Sequence, residues 1–264
     1  MLLNKKLRKK IAWMTWHSNE GHIPSAFSII DLITHLYDEV LILDSKNLKS
    51  EDRDYFILSK GHGCSALYAY FWDIGVLSEE NINSKNAKDG ILATHPDKNK
   101  VPGVEASTGS LGNGIGFALG IALGLKIDSK KNQVYTILGD AECNEGTVWE
   151  CALLAPHLKL DNLTIIIDNN HSCDPTLPMP NMAKKFESFG WQVFEIDGHS
   201  QSDLKECFDK IKKENQNGLP KCVIANTVKG KGVPFMESNY GKWHSKVPTE
   251  LELSEIEKAI DEYK

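Results

Sequence analysis

Five short apolar runs punctuate the chain, at residues 55–58, 134–138, 163–167, 192–196 and 221–227. They are brief, rich in β-branched and aromatic residues, and bounded by polar or glycine positions, which reads as buried strands. Between them the pattern changes to a helical period. Residues 5–17 read as a helix. Residues 25–40 place Ile29, Leu32, Ile33, Leu36 and Val40 on one face, with Ser25 expected as the N-cap. Further helices are expected near 64–74, 146–158, 181–188 and 201–214, with Pro156 ending or kinking the second of these. Residues 78–104 and 230–246 have loop composition, and Thr249 opens a short acidic helix. Strands alternating with helices predict an α/β fold, a parallel sheet with helices on both faces. The expected division is a main domain over residues 1–235 and a C-terminal tail with a short helix over 236–264.

Residues 109–126 are unusual. Gly112, Gly116, Gly120 and Gly124 recur every fourth residue among Ile115, Ala118, Leu119, Ala122 and Leu123. Each glycine costs a helix roughly 1 kcal/mol against alanine. A stripe of them calls for a compensation, such as the close approach of another helix or of a ligand's backbone. A dinucleotide-binding loop does not fit, because Phe117 stands where a third small residue is needed and no clear strand precedes.

The candidate chemistry lies where two of the apolar runs stop. Gly139-Asp140-Ala141 follows one, and Asp168-Asn169-Asn170 follows the next. At the carboxyl ends of neighbouring parallel strands these side chains would face one crevice, where α/β folds bind ligands. A carboxylate, an amide oxygen and a backbone carbonyl are hard ligands. They suit Mg²⁺ or Ca²⁺, with phosphate oxygens completing the shell. Composition adds mainly exclusions. The 264 residues carry a net charge of −6, so nothing favours nucleic acid or an anionic membrane surface. The basic cluster Lys5, Lys6, Arg8, Lys9 and Lys10 is not followed by a signal-peptide core, and no apolar run reaches transmembrane length. The six cysteines show no CxxC spacing, which predicts reduced thiols in a cytoplasmic protein.

The Gly-Asp and Asn-Asn pair resembles the signature of thiamine diphosphate enzymes, with Ala141 in place of its second glycine. Alanine keeps the backbone N–H and questions only a positive φ there. Other segments extend the resemblance along nearly the whole chain. Gly21-His22 is similar to a Ser-Gly-His-Pro-Gly-Ala segment, with Glu20 in the serine's place. Residues 52–63 contain Leu58-Ser59-Lys60-Gly61-His62-Gly63, and Thr94-His95-Pro96 follows. Then come Pro102-Gly103-Val104-Glu105, Thr108-Gly109-Ser110-Leu111-Gly112-Asn113-Gly114, Lys229-Gly230-Lys231-Gly232-Val233 and Trp243-His244. Together these resemble the amino-terminal, diphosphate-binding half of transketolase, most of all the form split into two polypeptides.

The resemblance implies roles residue by residue. Asp140, Asn170 and the carbonyl of Ser172 would hold Mg²⁺, with Ca²⁺ as a substitute. His62, Gly109, Leu111, Gly139, Asp140, Ala141, Glu145 and Asn170 would contact thiamine diphosphate, and His22, His62, His95 and His244 would surround the reacting carbon. Neutral imidazoles can pass protons to and from a sugar oxygen. The implied reaction moves a two-carbon ketol unit from a ketose, expected to be phosphorylated, to an aldose. The family's activating glutamate lies in a pyrimidine-binding domain that is not represented here. The expected partner is therefore a second, C-terminal subunit, in an α₂β₂ assembly. Two other readings stay open: a non-catalytic binding or scaffold protein on the same fold, and the alpha subunit of a 2-oxo-acid dehydrogenase. The histidine set argues against the dehydrogenase, and length argues against 1-deoxyxylulose-5-phosphate synthase.

Overall fold

The five apolar runs become five parallel strands: β1 (Tyr55–Leu58), β2 (Val134–Gly139), β3 (Leu163–Asn169), β4 (Gln192–Asp197) and β5 (Lys221–Asn226). The computed structural model describes residues 4–214 and 218–263. Strand order is β1-β2-β3-β5-β4. β2 is buried throughout and β3 is buried up to Asn169, as near-continuous apolar runs in a covered parallel sheet require. β4, at the edge, is only half-buried. Alternate residues of one strand enter different cores. Tyr135, Ile137, Ile166 and Val223 join one apolar cluster, whereas Val134, Leu138, Ile165, Ile167, Cys222 and Ile224 join the other. The two-residue strand period thus divides the interior between the sheet's two faces, each covered by helices.

The first helix occupies Lys5–His17, as its periodicity predicts. The next segment departs from expectation. It is not one helix from Ser25 but two short ones, Ile23–Phe27 and Ile30–His35, ending in a wide turn in which Leu41 N–H donates to the Leu36 carbonyl at 2.8 Å. His22, in a left-handed conformation with φ 70°, holds the N-cap position, and Ser25 is buried inside the helix. The break falls at Ser28, whose hydroxyl bonds back to the Ser25 carbonyl at 3.1 Å and leaves the helix for Asp168. Serine side chains compete in this way with a regular helical ladder.

Other differences are local. Residues 78–104 contain a short helix, Glu79–Asn83, fixed by a capping box between Ser78 and Asn81. Residues 230–246 contain single-turn helices at Pro234–Glu237 and Tyr240–Trp243. The glycine-rich helix begins at Gly114 and runs to Ile127. Gly112 precedes it at φ +81°, and a Cβ there would come 2.7 Å from Glu145 Cβ. Gly116, Gly120 and Gly124 face open space, so no neighbour within the described residues compensates for them.

The C-terminal helix Glu250–Glu262 opens with a Thr249–Glu252 capping box. Its Leu253, Ile256 and Ile260 share a core cluster with Leu7 and Ile11 of the first helix, and Lys9 pairs with Asp261 at 2.7 Å. All six cysteines are buried and unpaired. Among the described residues no helix is long and apolar enough to cross a membrane.

Candidate active site

Gly139 pairs with Asp168 across β2 and β3, so the residues just beyond them emerge side by side at the carboxyl edge of the sheet. Asp168 is fully buried, and four donors converge on its carboxylate. They are Ser28 Oγ at 2.8 Å, Asn170 Nδ2 at 2.7 Å, Thr227 Oγ1 and the ammonium of Lys60. Burial alone would raise the carboxyl pKa. The Lys60 charge and the hydrogen bonds outweigh it and hold the group below the usual carboxylate range. A second buried carboxylate, Glu142, accepts from Ser59 Oγ, from Gly112 N–H at 2.9 Å and from Gly139 N–H at 3.0 Å. It ties three separate segments into one edge, and burial pushes its pKa up.

These two acids rigidify the candidate metal ligands. Asp140 is buried; its Oδ1 accepts from Ala141 N–H and from Ser172 Oγ, each at 2.7 Å. Because Asn170 Nδ2 donates to Asp168, its amide oxygen is left to face Ser172, whose N–H it accepts at 3.1 Å. Asp140, Asn170 and Ser172 are thus brought together, through the N–H and hydroxyl of Ser172. No group of three His, Cys, Asp or Glu side chains among the described residues is arranged to hold a metal. A cation here would draw on one carboxylate, an amide, a carbonyl and a ligand's phosphate oxygens, a set that fits a hard divalent ion.

Three of the four histidines meet beside this edge. Ring centroids of His22 and His62 lie 5.3 Å apart, His22 and His244 5.2 Å, and His62 and His244 6.2 Å. His22 N–H donates to the His244 carbonyl at 3.1 Å, which joins the two segments. His95 makes no ring contact with these three, though it is close enough for its charge to act on His22, and it lies against Gly109. There a Cβ would come 3.0 Å from the ring's Cγ, and φ of +153° favours glycine as well. Burial, and then neighbouring positive charges, keep these imidazoles neutral. His62 is pushed down to about 2 and His244 to about 4, and His22 and His95 also fall below the ordinary value. His22 Nδ1 is buried with no partner.

Leu111 is half-buried, and Ala141 begins the turn Ala141–Asn144 with its N–H spent on Asp140. Glu145 is exposed and heads the helix Gly146–His157 without a side-chain capping bond. Sequence reasoning passed over Lys60, Glu142, Thr227 and Lys229. A signal was available for two of them: a lysine directly after a buried strand, and a glutamate beside Gly139-Asp140, each need a partner if buried.

The family description "Transketolase, thiamine diphosphate binding domain" matches residues 12–260. The chain belongs to the transketolase family. The apulose-4-phosphate transketolase subunit from Actinobacillus succinogenes is 38% identical over 266 residues, covering 98% of this chain and 94% of that protein. The 6-deoxy-6-sulfo-D-fructose transketolase subunit SqwG of a Clostridium species is 33% identical over 90% of this chain. The transketolase from Campylobacter jejuni superposes with a TM-score of 0.90 at 25% identity, over 99% of this chain but 43% of that one. The Leishmania mexicana enzyme gives 0.88, over 40% of its length. The chain therefore spans about two fifths of full-length transketolases and nearly all of the Actinobacillus protein. In extent it is an amino-terminal subunit of a split transketolase, a transketolase-type transferase component with the thiamine diphosphate-binding domain.

Proposed function

We propose that this chain supplies the diphosphate-binding half of a cytoplasmic two-component transketolase. It would transfer a ketol unit between sugar phosphates only when joined to a C-terminal subunit in an α₂β₂ complex. The observation that carries this reading is the placement of the His22–His62–His244 cluster beside the Asp140–Asn170–Ser172 oxygen set on one sheet edge. Residues 1–235 form the diphosphate-binding domain in this proposal, and residues 236–264 a tail whose helix is docked on it.

Thiamine diphosphate supplies the carbanion-stabilising chemistry when bound. Asp140, Asn170 and the Ser172 carbonyl would hold Mg²⁺ against its diphosphate, with His62 beside it; Gly139 and Ala141 would border the diphosphate, their N–H groups being bonded to Glu142 and Asp140. Gly109 and Leu111 would border its pyrimidine ring, with Glu145 on the partner's side. The chain's own catalytic work is proton handling. His22, His62, His95 and His244 stay neutral near pH 7, so as a set they can offer N–H groups and accept protons at sugar oxygens. The open face of Gly116, Gly120 and Gly124, with exposed Phe117 on the same helix, is where we place the second polypeptide.

Two results test these assignments in the reconstituted complex. Asp140→Ala is expected to abolish Mg²⁺-dependent thiamine diphosphate binding, read by titration calorimetry, since it removes the only carboxylate of the set. Undiminished affinity would sink the metal assignment. His62→Ala and His95→Ala are each expected to lower two-carbon transfer by about 10²-fold or more while leaving the circular dichroism spectrum unchanged. Wild-type rates in both would return these histidines to a structural role.

A further inference from the structure

The loop after β5 is pinned at many points for its length. Thr227 Oγ1 donates to Asp168, and Thr227 N–H to the Asn169 carbonyl at 3.2 Å. Val228 N–H donates to His199 Nε2 at 2.9 Å, and Gly230 N–H to the Pro24 carbonyl at 3.1 Å. The Lys231 carbonyl accepts from Arg8 Nε at 2.9 Å. Arg8 and His199 both close on Asp31. Arg8 does so through bonds of 3.0 and 2.7 Å, and His199 through Nδ1 at 2.8 Å. All three side chains are buried. Since His199 Nε2 accepts from Val228, the proton of the neutral ring sits on Nδ1 and points at Asp31. An Arg8–Asp31–His199 strut thus fixes the backbone on both sides of Lys229.

Lys229 is 3% exposed, and its ammonium lies 3.2 Å from His244 Nδ1. Burial, followed by the charge of Lys60, pushes its pKa down to about 8, which still leaves it protonated at neutral pH. An ammonium has donors only, so Nδ1 of His244 must be the acceptor. A neutral imidazole that accepts at Nδ1 carries its proton on Nε2. We propose that Lys229 is a positioning residue that occupies Nδ1 of His244, so that His244 presents Nε2–H to the sugar as a fixed hydrogen-bond donor. Work as a base falls instead to the other rings. The identity of the sugar oxygen rests on the transketolase reading; the Lys229–His244 contact does not.

The charged and titratable groups around His244 are Lys229, His22, Lys60 and His62. The Tyr240 ring centroid lies 5.8 Å from the Lys229 ammonium, and the charges of Asp168 and Asp140 also act on Lys229. The test is an NMR pH titration of the full chain carrying ¹⁵N-labelled histidine, with the His244 signals identified from their loss in His244→Gln. In the wild type His244 is expected to stay neutral down to about pH 5, in the Nε2–H form. Lys229→Met is expected to raise its midpoint by at least about one pH unit, a ten-fold change in proton affinity. Lys229→Arg, which keeps both charge and donor, should leave it low. If the Met variant fails to fold, Lys229→Gln carries the test: it keeps a donor without the charge, so the midpoint rises while the Nε2–H form persists. A wild-type midpoint near the ordinary histidine value, or one that does not move when the charge is removed, would overturn the proposal. The readout needs no turnover, so its failure is distinct from a failure of the transketolase reading.

Discussion

Replacing Asp168 with alanine is expected to lower folding stability by about 3–5 kcal/mol, the cost of stranding a buried charge by removing its partner. The uncompensated group would be Lys60, which is 1% exposed and otherwise donates only to the Ser25 carbonyl at 3.2 Å. Ser28, Asn170 and Thr227 would lose their acceptor as well. Lys60→Met should cost less, because the carboxylate keeps three neutral donors. The double variant should recover part of the sum, since contacting residues couple. The pH dependence has a definite sign. Asp168 titrates below its ordinary value in the folded chain, so its contribution is present above the unfolded carboxyl pKa of 3.8 and is lost as pH falls through the lower folded value. Urea unfolding of the variants at neutral and acid pH measures both effects. A loss under about 1 kcal/mol for Asp168→Ala would mean that water reaches the pair.

The second large effect concerns assembly. The purified chain alone is expected to show no measurable ketol transfer, a deficit on the order of 10³-fold or more against the complex. The family's activating glutamate belongs to the pyrimidine-binding half, and this chain spans about two fifths of the full-length enzymes. Co-expression with a C-terminal subunit should restore activity and shift the sedimentation profile to a heterotetramer. Full turnover by the chain alone would refute the split-enzyme proposal. It would direct attention to Glu105, which is paired with Arg53 at 2.8 Å, and to the exposed Glu145 as substitute activators.

Strand positions were the most legible feature of the sequence. Buried parallel strands show as short apolar runs, and all five strands, the half-buried β4 included, lie within two residues of where the runs do. The crevice followed, because Asp140 and Asn170 had only to sit beyond adjacent strands. The break at Ser28 was not legible. Its cause is a hydrogen bond to Asp168, 140 positions away, whereas Ile29, Leu32, Ile33, Leu36 and Val40 kept a helical period through it. The roles of Lys60, Glu142 and Lys229 were hidden for the same reason, since a charged residue declares itself buried only once its partner is in place. The glycine stripe was legible as an anomaly, and the fold leaves Gly116, Gly120 and Gly124 uncovered.

The Glu142 cross-tie has a thermodynamic consequence. One carboxylate holds Ser59, Gly112 and Gly139 in register through contacts within the chain itself, so little chain entropy remains to be lost along that edge on binding. Ligand association with this half should therefore carry a small ordering penalty. The heat-capacity change on loading the complex would then report mainly apolar surface closed between the two polypeptides, with little contribution from folding inside this one.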